Sequence, residues 1–548
     1  FEQNGKVSLS AARYDAYRGD VDYNTPLSDD FAIRFVGFYE DAESFRDEIE
    51  KEAYGVSPSI VWNISDRSRL VYELEYSDQE VPFDRGVVAI NDQLGRIPES
   101  RFLGEPGDGP MKAKVVGHQV EWQYDINDDW SALLGFNYRD TSLKGFSTEA
   151  ELSGSRQKLY VDGETLTRQR RSRDYDATYE VLRAEVTGSF HTGGLEHRIM
   201  VGADVDEFEN DQVFLRIRAP SLSTNPTDQQ LQAINVFDPI YGQYPLPTPL
   251  PQTDRVETQE SFGVFLQDQI SLTEQLDVRI GVRYDDYEQK LKDRLNDTQA
   301  DQSEDRWSPQ VGAVYEATEE LSFYAVYGEN FRPLSGVDAQ GNGFDPNKTE
   351  SIEAGIKVSL INGALEGTLA VYQIEQNNIV VVDDPSAFTQ AAIGEAESKG
   401  AELDIAGRLG ESTSIWLSYA YVDAETKNAF FDANFGREIP AGTELLNIPK
   451  NQLNLQIAYD FTLGGRKLQF GGGLLYVDDR SGYFGTDFTL PDYTLVNAFA
   501  AYNLTDAFLA RLEIQNLFDE EYYTNSFADL WVEPGAPTTW RVVAEYTF

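Results

Sequence analysis

The sequence has 548 residues, no cysteine, and 45 Lys+Arg against 93 Asp+Glu, a formal net charge of −48. The missing cysteine excludes a disulfide framework and any thiolate metal site, and the charge argues against nucleic-acid binding, which needs clustered Lys and Arg. Mean hydropathy is −0.45, and no apolar run approaches the roughly 18 residues that a membrane-spanning helix requires, whereas strands that cross a bilayer alternate and escape that test.

Phe1 is followed by polar residues, so no signal peptide opens the chain and it reads as a mature or trimmed product. A first strand is expected at Lys6–Tyr14. Further along, Trp130, Ala132, Leu134, Phe136 and Tyr138 alternate with Ser131, Gly135, Asn137 and Arg139. Leu276, Val278, Ile280, Val282 and Tyr284 alternate with Asp277, Arg279, Gly281, Arg283 and Asp285. Leu468, Phe470, Gly472, Leu474 and Tyr476 oppose Gln469, Gly471 and Gly473. Near the end, Phe508, Ala510, Leu512 and Ile514 oppose Arg511, Glu513 and Gln515, and Trp540, Val542, Ala544, Tyr546 and Phe548 oppose Arg541, Val543, Glu545 and Thr547. Successive side chains of a strand point to opposite faces, so each run has one apolar face and one largely polar face. The runs are about ten residues long, enough for a tilted strand to cross a bilayer. Trp130, Phe136, Phe470, Trp540 and Phe548 are expected to face lipid.

Connections alternate between short (Asp125–Asp129, Thr273–Gln275, Thr318–Glu320, Ile361–Gly363, Leu504–Ala507) and long (Glu80–Ala113, Ser142–Arg173, Asn210–Asp254, Lys427–Pro449). Short periplasmic turns and long extracellular loops are the asymmetry of an outer-membrane barrel. The pattern predicts an all-β, transmembrane antiparallel β-barrel of about 22 strands. Aromatics at 12% suit its interfacial girdles. The acidity reads first as solvated loops and second as divalent-cation bridging to lipopolysaccharide.

Several segments resemble the TonB-dependent outer-membrane receptors. The stretch PDYTLVNAFAAY, then LEIQNLFDEEYY at Leu512–Tyr523 and a last strand ending in Phe548, is similar to that family's C-terminal signature. Ser308–Pro333, Phe344–Lys357 and SKGAELDI from Ser398 resemble its middle strands and loops. Leu334–Gly343, and Val81–Gly107 with PFDRG and RFLGEPGDG, narrow the resemblance to ferric-siderophore receptors. The resemblance implies an outer-membrane transporter, not an enzyme, in a Gram-negative bacterium. Its ligand would be a ferric siderophore that keeps its own iron, with no tightly bound cofactor and no protein metal ligands. Its partners would be the TonB complex, outer-membrane lipid and lipopolysaccharide, and a monomer is expected. Because the first strand begins almost at once, residues 1–548 read as the barrel domain without the family's N-terminal plug. The alternative is a plug-free passive diffusion pore.

The ligand site is expected where loops meet the lumen, since bulky chelates suit aromatic walls with a few polar anchors. The candidates are Phe83, Arg85, Tyr241, Tyr244, Phe344, Tyr483, Phe484 and Trp531, each of which could equally serve as girdle or loop core. Arg168–Arg173 (RQRRSR) is the one strong basic cluster. Alternation sends Arg168 and Arg170 one way and Arg171 and Arg173 the other. This reads as lumen charge plus outer-edge arginine, in preference to a grip on phosphates or an anionic chelate. His191 and His197 flank a turn on opposing strands, but surface positions are the plainer reading than a metal pair. Arg511, Glu513, Arg541 and Glu545 read as charges paired in the lumen wall. No GxSxG, GxxxxGK[ST] or HExxH pattern occurs.

Overall fold

The computed structural model describes residues 2–338, 340–384, 389–432 and 436–548. The wall starts with β1 (Asn4–Ala12), β2 (Ala16–Pro26), β3 (Phe31–Glu43), β4 (Glu50–Ser65), β5 (Ser68–Pro82), β6 (Pro110–Asp125) and β7 (Trp130–Ala150). It continues through β8 (Arg168–Thr192), β9 (Leu195–Ile217), β10 (Leu250–Thr273), β11 (Leu276–Asp293), β12 (Thr298–Thr318), β13 (Leu321–Arg332) and β14 (Asn347–Leu360). β15 (Leu365–Asp384), β16 (Thr389–Leu409), β17 (Thr413–Thr426), β18 (Asn451–Leu463), β19 (Arg466–Val477), β20 (Tyr493–Asn503), β21 (Phe508–Gln515) and β22 (Thr539–Thr547) complete it. Each pairs antiparallel with the next, and β22 pairs with β1 from Lys6↔Thr547 to Ala12↔Arg541, closing a 22-stranded barrel. Phe548 and Gly5 seal the seam with reciprocal backbone bonds of 2.8 and 2.9 Å. Closure leaves no unpaired edge, the condition for a sheet to lie in lipid.

Register shows why these residues suit a wall with lipid outside. Residues directly paired across strands share a face. Direct pairing links Phe31, Trp62, Leu70, Trp122, Leu134, Ala184, Ala203, Val264, Tyr284 and Trp307 into one apolar row over ten strands. A second row, Tyr459–Phe470–Ala500–Leu512–Val542–Ala11–Tyr17, crosses the seam. Trp130, Phe136, Phe470 and Trp540 share strand and parity with these rows, and Phe548, one residue past β22, keeps that parity, as the alternation requires. One residue along, the other face is charged. Arg283 holds Asp204 at 2.6 and 2.8 Å and Asp285 at 2.7 Å. A polar lumen follows from the same alternation. Of the expected lumen charges, Arg511 pairs with Glu513 at 3.0 Å and Glu545 with Lys6 at 3.6 Å.

The two rims differ. One carries tight turns, such as 193–194, where Gly193 (φ 59°) and Gly194 (φ 91°) supply the positive dihedrals of a two-residue hairpin. The other carries the long loops 83–109, 151–167, 218–249, 427–450, 478–492 and 516–538. Strands on this rim overshoot the expected ten residues: β7, β8 and β9 have 21, 25 and 23. Hairpin pairing continues beyond the hydrocarbon layer because nothing in it depends on lipid. As a result the Ser142–Arg173 connection shrinks to 151–167, and RQRRSR lies on a strand. The first strand ends earlier than expected, because Tyr14 and Asp15 take left-handed dihedrals and make the turn.

The apolar core lies in the loops. Val87, Ile90, Leu103, Leu159, Leu166, Ile234, Val236, Leu490, Leu530 and Val532 are buried together from five different loops. His191 and His197 do not face each other: His191 pairs with Glu196 and His197 with Phe190. Both His197 ring nitrogens are occupied, Nδ1 by Asp268 (2.8 Å) and Nε2 by Thr192 (2.9 Å).

Candidate functional site

The segment Phe83-Asp84-Arg85-Gly86 leaves the end of β5 in a fixed shape. The Gly86 amide donates to the Asp84 carboxylate (2.9 Å), a local turn of the kind Asp favours. Arg46, from the 44–49 loop, grips that same carboxylate at 2.7 and 3.1 Å. Beyond Gly86 the chain meets the last loop. Val87 and Val532 exchange backbone hydrogen bonds of 2.7 and 3.0 Å, and the Ala89 amide donates to the Asp529 carbonyl at 2.6 Å. A hairpin, Tyr523–Ala528 with Trp531–Pro534, presents Val532 for this pairing. The last loop thereby reaches across the mouth to the tops of β7 and β8, where the Trp531 indole N–H donates to the Ala150 carbonyl at 3.3 Å.

Three arginines converge there on one carboxylate. Glu149, almost fully buried, receives Arg85 Nε at 2.8 Å, Arg173 Nη2 at 2.8 Å and Arg171 Nη1 at 3.4 Å. Ser147 Oγ donates to Glu149 at 2.5 Å and accepts from Arg173 at 2.7 Å. Strand parity puts Glu149, Arg171 and Arg173 on the face opposite Phe136, toward the lumen. Aromatic faces complete the cluster. Arg85 stacks over Phe83 (4.6 Å) and Trp531 (4.1 Å), Arg173 over Phe83 (4.6 Å), and Arg171 over Trp531 (5.2 Å). A ring face attracts a cation and leaves guanidinium edges free to bond. A buried carboxylate is tolerable only with such partners.

Of the expected site residues, Phe83, Arg85 and Trp531 therefore meet. Tyr241 sits inside the loop packing, its hydroxyl donating to the Phe102 carbonyl at 2.8 Å, and Tyr244 is half-buried in the same loop. Phe344 is buried at a separate place, its carbonyl accepting from Gln302 at 2.6 Å. Tyr483 packs against the main loop core under the Arg437 guanidinium (4.2 Å), and Phe484 lies 5.8 Å from the Phe430 ring. Glu149 escaped sequence reasoning. Its signal was parity, since Ser147, Glu149, Arg171 and Arg173 share one face once β7 and β8 are extended. RQRRSR divides as alternation requires. Arg168 bonds Glu105 (3.0 Å) and Arg170 bonds Asp108 (2.7 Å) on the outer face, and Arg171 and Arg173 turn inward.

The loops that hold this platform carry strained acids. Burial pushes the Asp529 carboxyl up to about 6, an effect opposed by a hydrogen bond from Tyr160 (3.1 Å) and reinforced by Asp92. Burial, then repulsion from Glu521 and Asp519, pushes Glu99 up to about 7. Among the described residues no group of three or more His, Cys, Asp or Glu is arranged to hold a metal.

A family model for the TonB-dependent receptor-like β-barrel matches residues 55–517. The metal-pseudopaline receptor CntO of Pseudomonas aeruginosa is 34% identical over 547 residues, covering 98% of this chain and 74% of that protein. The ferrioxamine B receptor of Salmonella typhimurium is 28% identical, covering 95% of this chain and 72% of its own length. Among solved structures, the siderophore receptor PiuA of Acinetobacter baumannii superposes over the whole chain and 82% of its own, with a TM-score of 0.89 at 21% identity. With the family model matching most of the sequence and a relative above 30% identity, the chain belongs to the TonB-dependent receptor β-barrel family.

Proposed function

We propose that this chain is the barrel of a Gram-negative outer-membrane receptor that captures a ferric siderophore or related metal chelate for TonB-energised uptake. The observation that carries this is the platform under the joined loops, where Phe83, Arg85 and Trp531 meet Arg171, Arg173 and Glu149 at the lumen mouth. Guanidiniums held in place over the Phe83 and Trp531 rings take the anionic oxygens of a chelate. The relatives' names, receptors for metal-pseudopaline and ferrioxamine B, support the same reading and give none to a passive pore. Energy would enter through TonB acting on a plug domain inside the barrel, with the outer loops making first contact. Tyr241, Tyr244, Phe344, Tyr483 and Phe484 would support or flank that contact.

The test is chelate binding to outer-membrane preparations of the intact receptor, read by retained radioactive iron, for the wild type and for Trp531→Ala and Phe83→Ala. Each truncation removes a large anchoring ring and should weaken binding about tenfold or more. Unchanged affinity in both variants would place the site elsewhere.

A further inference from the structure

Within a protein of net charge −48, the inner face of the loop rim gathers guanidiniums beyond what its carboxylates neutralise. Arg85, Arg171 and Arg173 share the single carboxylate of Glu149. Arg171 also stands directly across the β8–β9 ladder from Arg216. Like charges in directly opposed positions of a sheet destabilise it. Arg216 gains little relief: among the described residues its guanidinium bonds the neutral Gln252 oxygen, at 3.2 Å, and the nearby Glu151 is already taken by Arg218. The Nε atoms of both Arg171 and Arg216 are buried without a hydrogen-bond partner among the described residues. An unsatisfied buried donor is costly, more so on a charged group. Folding alone gives no reason to set two such arginines opposite each other at the mouth.

We infer that Arg171 and Arg216, with Arg85 and Arg173 beside them, form a cradle for an anionic chelate whose periphery presents carboxylate oxygen pairs. The inference rests on the receptor reading above and narrows it to a ligand class. A guanidinium offers two parallel N–H groups that match the two oxygens of a carboxylate. A carboxylate bound between them would offset the two like charges that the ladder sets opposite each other. A neutral or cationic hydroxamate chelate would not. The acidic exterior around a basic mouth also makes the inner rim the place where an anion is held once it arrives.

The experiment uses the intact receptor in detergent. Tryptophan-fluorescence titrations are made with ferric citrate, which is anionic with peripheral carboxylates, and with ferrioxamine B, which has none. Both are run at 50 and 300 mM salt, on the wild type, Arg216→Gln and Arg171→Gln. Ferric citrate should bind the wild type at least tenfold more tightly than ferrioxamine B, and its affinity should fall with salt. Both variants should lose about tenfold for ferric citrate, and Arg216→Gln should lose nothing for ferrioxamine B. Arg216→Gln should also raise the barrel's melting temperature, because it removes a like-charge pair, so its loss of binding is not misfolding. Tighter binding of ferrioxamine B, or citrate binding indifferent to both variants, would overturn the carboxylate assignment and leave the receptor reading standing. Binding of neither chelate would count against both.

Discussion

The carbonyl oxygen of Val532 occupies the space a side chain on Gly86 would need: an ideal β-carbon there lies 1.9 Å from it. Gly86 also takes φ 80°, which L-residues with side chains adopt rarely. Gly86→Ala should therefore force the 83–109 and 516–538 loops apart. The expected result is faster amide exchange at Val87 and Val532, by at least tenfold, with the barrel's melting unchanged. Protection equal to the wild type would mean that the loops tolerate the added methyl and are not joined at this point.

Glu149 is the one carboxylate shared by Arg85, Arg171 and Arg173. Glu149→Gln leaves the buried Arg173 and the partly buried Arg171 and Arg85 without an anion, and breaking a buried pair costs about 3–5 kcal/mol. Amides near Ser147 and Arg173 should lose protection. Pairing Glu149→Gln with Arg171→Gln should recover part of the loss, since the second change removes one of the stranded charges. Strictly additive effects would show that the two side chains are energetically independent.

The loop junction should respond to acid in a defined direction. Asp529, pushed up to about 6, and Glu99, pushed up to about 7, both have folded values above the roughly 4 of an exposed carboxyl. The folded loops therefore favour the protonated forms. Their contribution is complete below about pH 4 and is lost as pH rises through 6 to 7. Exchange protection of Ala89 and Val532 should be greater at pH 5 than at pH 7.5, and Asp529→Asn with Glu99→Gln should flatten that difference. Protection that increases with pH would reverse the assignment.

Phe136 and Asn137 test the register. Phe136→Arg puts a charge on the apolar row and should cost about 2–4 kcal/mol at the bilayer midplane, less toward an interface. Asn137→Arg adds it to the lumen face, beside Gln119 and Val181 in the ladder, and should be tolerated. Folding yields into vesicles, judged by heat-modifiable migration, separate the two. Equal yields would indicate that the faces are exchanged.

The wall was legible because its constraint is local: every strand alternates, and every turn on one rim is short. Trp130–Tyr138 and Leu276–Tyr284 carry that constraint within nine residues each. The site is a different kind of object. Arg85 and Trp531 could be named as candidates from residue type, but their meeting depends on Gly86 letting Val87 reach Val532. Trp531, Tyr241 and Phe344 all pack within the loops, because a ring in a long loop buries as readily as it binds. Glu149 was hidden by an underestimate of strand length, since a ten-residue β7 ends before it.

The join between Val87 and Val532 also orders events in time. One partner follows the fifth wall strand and the other precedes the last, so the contact spans most of the chain. Contacts of such long sequence separation form late. A chain interrupted anywhere before Trp540 can pair many strands but cannot place Trp531 under Arg85 on a closed rim. The loop junction is thus among the last contacts the folding chain can complete, and it marks that the ring has shut.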